Sequence, residues 1–117
     1  MSTPARLLCA TALALTFAFT AVTFARAEGA EPERLLVIKN HRFEPAELRV
    51  PAGQRVKLVV HNQDGTPEEF ESHSLNREKL VPAGSKVSLY IGPLKPGRYT
   101  FFGEFNAATA QGAVVVD

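Results

Sequence analysis

The chain has 117 residues, enough for one small domain, and its 13 Lys and Arg against 12 Asp and Glu leave no bulk charge to draw nucleic acid or an anionic membrane. Its only Cys, Cys9, and its only Met, Met1, lie at the N-terminus. The remainder therefore has no disulfide, thiol nucleophile, iron-sulfur cluster, Cys zinc site or thiolate or thioether copper ligand. Arg6 and Arg26 are the only charged residues before Glu28, and from Glu28 onward 11 basic residues face 12 acidic ones.

Residues 1–27 have the layout of a secretory signal peptide. A positive start at Arg6 is followed by an apolar stretch, 7–24, and by the small-x-small pattern Ala25-Arg26-Ala27 that signal peptidase reads. The alternative is an uncleaved anchor, since the stretch approaches the roughly 20 residues needed to span a bilayer. Cleavage near Ala27 predicts export to the periplasm, a short flexible leader at 28–34 and a folded domain at 35–117. Such a domain, in an oxidising compartment and without a disulfide, is held by its core alone.

Short runs rich in Val, Leu, Ile, Phe and Tyr then recur about every ten residues, at 35–39, 47–50, 55–62, 70–75, 86–91, 97–102 and 113–116. Turn signals separate nearly all of them: Pro51-Ala52-Gly53, Asp64-Gly65-Thr66-Pro67, Pro82-Ala83-Gly84, Gly92-Pro93 and Pro96-Gly97. Val56, Leu58 and Val60 alternate with Lys57, Val59 and His61, the period of a half-buried antiparallel strand. No window carries a sustained helical stripe. About seven short strands predict an all-β sandwich or barrel, and the small polar stretch 103–112 has room for one helical turn.

The residues able to carry chemistry are three His and the carboxylates. His41, in a connection, and His61, opposite the apolar face of its strand, read as surface residues. His73 follows Glu68-Glu69-Phe70-Glu71-Ser72. Strand alternation places Glu69, Glu71 and His73 on one face and Glu68, Phe70 and Ser72 on the other, which also rules out a Ser-His triad there. Glu68, Glu69, Glu71 and His73 form a dense set of oxygen and imidazole donors suited to Fe, Mn, Zn or Cu(II) and not to Cu(I). The competing explanation is neutralisation by Arg77, Lys79 or Arg98 in surface ion pairs, each worth little.

Phe43-x-Pro45, Leu48-x-Val50-x-Ala52-Gly53, Val59-x-x-Asn62-x-Asp64-x-Thr66-Pro67, Pro96-Gly97-x-Tyr99-x-Phe101-Phe102 and Gly112-x-x-Val115-Val116 together resemble a small periplasmic cupredoxin, across essentially all of 35–116. The resemblance implies a Greek-key β-sandwich. It also implies that a copper-binding member would carry His, Cys, His and Met where this chain has Glu68, Gly103, Asn106 and Ala110, so no type 1 copper is expected. The acidic run after Thr66-Pro67, with Phe101-Phe102-Gly103-Glu104-Phe105-Asn106 and Thr109-Ala110-Gln111-Gly112, is similar to a subgroup found beside bacterial oxidase-dependent ferrous iron permeases.

That likeness implies a non-enzymatic periplasmic protein that takes Cu(II) or iron through carboxylates. It would assist metal handling beside an inner-membrane iron permease or another periplasmic iron-uptake component. Ferrous oxidase activity has no recognisable redox centre behind it. The likeness also brings the turn at 64–67 and the loop at 103–112 to one end, adding Glu104 and Asn106 to the metal candidates and drawing Glu68 towards Glu104. The alternative function is a metal-free β-sandwich interaction module.

Overall fold

The computed structural model describes residues 2–5, 11–22 and 30–117. The expected cleavage point at Ala27, the start of the leader at Glu28, and Cys9 lie outside the described residues. Residues 11–22 have no regular secondary structure, and Leu13, Leu15, Phe17, Phe19 and Val22 there are exposed. Among the described residues no helix is long and apolar enough to cross a membrane.

Among the described residues nine short strands form two sheets, where the spacing of apolar runs predicted about seven. The first sheet has the order β2-β1-β4-β7, built from β1 (Glu33–Lys39), β2 (Arg42–Glu44), β4 (Val56–Asn62) and β7 (Lys86–Ile91). The second has the order β3-β9-β8-β5-β6, with β3 (Glu47–Val50), β5 (Glu68–Ser72), β6 (Arg77–Val81), β8 (Gly97–Gly103) and β9 (Gln111–Val116). β1 runs parallel to β4 and β3 parallel to β9, while all other pairings are antiparallel. The chain crosses between sheets repeatedly, as in a Greek-key sandwich. The ladder starts at Glu33 rather than residue 35, because Lys57 N–H already bonds the Pro32 carbonyl at 2.8 Å.

The two additional strands explain themselves physically. β2 has only three residues, too few to show a period. It is joined to β1 by Asn40 and His41, both at positive φ (53° and 56°), the two-residue connection whose twist suits a hairpin. β6 is Arg-Glu-Lys-Leu-Val, exposed along four of its five residues. It forms the outer edge of the second sheet, and charge on an edge strand discourages pairing with other chains.

Between the sheets Phe43, Phe70 and Phe101 pack edge-on or tilted, with centroids 4.9 to 6.2 Å apart, surrounded by Leu36, Ile38, Leu58, Val60, Ile91 and Val114. Each such side chain contributes about 1.5–3 kcal/mol when fully buried. The loops at one end are set by Asn62 and Asp64. Buried Asn62 donates from Nδ2 to the Thr66 and Val81 carbonyls at 2.8 and 3.1 Å. Asp64 accepts the Asn40 and His41 amides at 2.8 and 3.0 Å, bonds that hold its carboxyl below the usual range.

Candidate metal centre

β5 alternates as its sequence requires: Glu68, Phe70 and Ser72 face the core and Glu69 and Glu71 face outward. The six candidate ligands therefore separate into an inner pair and an outer group.

Glu68 is 1% exposed, and a carboxylate so placed needs hydrogen-bond donors to offset its lost hydration. It has three. Oε1 accepts the amides of Glu69 at 3.0 Å and Phe105 at 2.9 Å, and Oε2 accepts Asn106 Nδ2 at 2.7 Å. Asn106 closes a 3₁₀ turn, Glu104–Asn106, that follows β8. Gly103 and buried Ala110 complete the enclosure, tied together by Gly103 N–H to the Ala110 carbonyl at 2.8 Å. A Cβ at Gly103 would stand 2.6 Å from Glu68 Cδ and 2.8 Å from Ala110 Cβ, so the missing side chain makes room for the carboxyl group.

Residues 68, 103, 106 and 110 thus surround one point, and that point is filled by the Glu68 carboxylate. Type 1 copper does not fit them. Gly103 and Ala110 offer no side-chain donor, Asn106 turns its nitrogen inward, and the carboxylate oxygens are already bonded. A copper site of that kind needs a thiolate and imidazoles.

The outer group is different. Glu69, Glu71 and Glu104 each present a carboxylate oxygen within 4.8 Å of the others. Glu104, expected to approach Glu68, instead points outward from the 3₁₀ turn to meet Glu69 and Glu71. Glu78 joins them, because β6 sets it directly across from Glu71. Sequence inspection missed Glu78, since only the pairing of β5 with β6 reveals the juxtaposition.

Crowding raises the proton affinity of Glu69 and Glu71. Glu69 is pushed up to about 7, first by its hydrogen bond to Glu78, then by desolvation and by Glu104. Glu71 is raised chiefly by a hydrogen bond to Glu104, then by desolvation and the charges of Glu104 and Glu78, with His73 pulling the other way.

Among the described residues no Lys or Arg lies within ion-pair distance of these four glutamates. Arg98 is engaged by Glu47 at 2.6 Å, and Arg77 donates to the Tyr90 and Asn76 carbonyls. Glu69 Oε1 is buried with no hydrogen-bond partner.

His73 lies in the turn after β5, 82% exposed, with Nδ1 4.0 Å from Glu71 Oε1 and its ring 5.6 Å from that of Phe102. It borders the glutamate group without entering it. His41 sits in the β1–β2 turn, 3.6 Å from Asp64, and His61 is half-buried on β4. A depression of about 490 Å³ beside β8 and β9 is lined by none of the candidate ligands, and its Arg98 is the one already paired with Glu47.

The Cupredoxin-like domain family pattern matches residues 9–116. An uncharacterized protein of Rickettsia prowazekii (strain Madrid E) is 45% identical over 82 residues, 70% of this chain and 66% of that protein. The match thus spans just under two thirds of that relative's length.

Three solved structures are similar in fold. The blue copper protein auracyanin A of Chloroflexus aurantiacus has a TM-score of 0.64 at 17% identity, over 73% of this chain and 98% of that one. A purple cupredoxin from Nitrosopumilus maritimus has a TM-score of 0.56 at 19% identity, over 71% and 98%. The metal binding domain of the Streptococcus pneumoniae D39 Cu(I)-exporting P-type ATPase has a TM-score of 0.65 at 13% identity, over 73% and 84%.

Proposed function

Since the chain belongs to the Cupredoxin-like domain family, we propose that it is an exported, non-blue, non-enzymatic member that binds a divalent cation on the outside of its second sheet. Glu69, Glu71 and Glu104 are the ligands, Glu78 and His73 flank them, and the candidate ions are iron, Cu(II), Mn and Zn. The observation that carries this is the approach of three carboxylate oxygens to within 4.8 Å with, among the described residues, no Lys or Arg within ion-pair distance of them. A divalent ion removes their mutual repulsion. The periplasmic location rests on the signal-peptide layout of residues 1–27, and a role in metal handling beside an inner-membrane iron permease rests on the sequence likeness to proteins of that setting.

Binding to the native state alone raises stability by mass action. Melting the mature protein with and without Fe(II), Mn(II), Zn(II) or Cu(II) should show an ion-dependent rise, lost when Glu69 and Glu104 are both changed to Gln. No rise with any ion would refute the proposal. It would favour a metal-free interaction module, which the closure of residues 68, 103, 106 and 110 around Glu68 also suits.

A further inference from the structure

We infer that the Glu68 carboxylate replaces, within the fold, the ion that positions 68, 103, 106 and 110 would otherwise surround, and that it cross-links the same segments with reversed polarity. A cation at such a point gathers lone pairs. Here every polar atom facing the point carries a hydrogen: the Glu69 amide, the Phe105 amide and Asn106 Nδ2. These donors come from β5 and from the turn after β8, segments more than 30 residues apart in sequence, so one carboxyl group ties β5 to the β8–β9 connection.

The enclosure is specific to that group. Gly103 leaves the room a carboxyl needs, Ala110 borders that same room, and the Ala110 amide is held by the Asn106 carbonyl at 2.8 Å. A cation entering would find amide hydrogens where it needs lone pairs, and the carboxyl group already fills the space. The same bonds fix the backbone from which Glu69 and Glu104 project outward.

The polarity is open to a direct test by exchange of the pair, in metal-free buffer so that the outcome is independent of any outer cation site. Asn106→Asp sets one carboxylate against another and should lower the urea midpoint. Glu68→Gln with Asn106→Asp restores one donor facing one carboxylate, with the net charge of the parent, and should recover most of that loss. The two changes are in contact, so a large non-additive term is expected. Simple additivity would overturn the inference. If Asn106→Asp does not fold, a folded double variant supports the inference and an unfolded one overturns it.

Hydrogen exchange on the parent supplies a second reading. The Phe105 amide, in a single solvent-facing turn, should exchange far more slowly than the neighbouring turn amides. Exchange as fast as theirs would contradict the bond to Glu68.

Discussion

Gly103→Ala probes the inner enclosure with a single methyl group. Gly103 has φ −93° and ψ 115°, which alanine adopts freely, so backbone strain contributes nothing. The whole cost is steric: the new Cβ would lie 2.6 Å from Glu68 Cδ and 2.8 Å from both Glu68 Oε2 and Ala110 Cβ. Overpacking a well-filled site costs about 1–3 kcal/mol. A carboxylate pushed off its donors forfeits hydrogen bonds worth about 1.5–3 kcal/mol each when one partner is charged.

A loss near 3 kcal/mol is the expected result. For a domain of this size it lowers Tm by roughly 12–24 °C, at about 4–8 °C per kcal/mol. Urea and thermal unfolding followed by circular dichroism measure it. Gly65→Ala is the control, with nothing within 4 Å of the added methyl, and should stay within about 0.5 kcal/mol. A Gly103→Ala loss below about 1 kcal/mol would mean that the carboxyl does not fill this space.

The raised Glu69 makes the folded state bind more protons than the unfolded chain, so metal-free stability should fall as pH rises from about 4.5 to about 7. Urea midpoints at pH 5 and 7.5 should show the decline and Glu69→Gln should flatten it; an unchanged slope would refute the cause. The depressed Asp64 acts with opposite sign and below its ordinary value of 3.8, its stabilisation disappearing only as pH falls through its lowered range. Titration of the mature protein with Cu(II) should give no intense thiolate-to-copper visible absorption, because no Cys follows Cys9. Mass spectrometry of the exported protein should find it beginning near Glu28, and retention of residues 1–27 would refute the assignment of the leader.

Legibility in the sequence followed the strength of each local signal. Val56 to Asn62 and Glu68 to Ser72 alternate with period two, and their burial follows that alternation residue by residue. β2 and β6 were silent for opposite reasons, one too short for a period and the other an edge strand whose exposed positions carry charge. The same alternation separates Glu68 from Glu69 and Glu71, so the division of the candidates into inner and outer groups was already implicit. The outward turn of Glu104 was not, because it depends on the 3₁₀ geometry after β8. Gly103 shows only that a Cys is missing until its backbone is seen against the Glu68 carboxyl, where the absent side chain becomes a requirement of packing.

The most direct test of the outer site is titration of ¹⁵N-labelled protein with Mn(II), whose paramagnetism broadens amides according to their distance from the ion. At substoichiometric Mn(II) the broadening should centre on Glu69, Glu71 and Glu104, extend to Glu78 and His73, and disappear when Glu69 and Glu104 are changed to Gln. Absence of localised broadening, or broadening centred instead on Glu47 or Asp117, the carboxylates paired with Arg98 and Arg49, would contradict a cation site on this face.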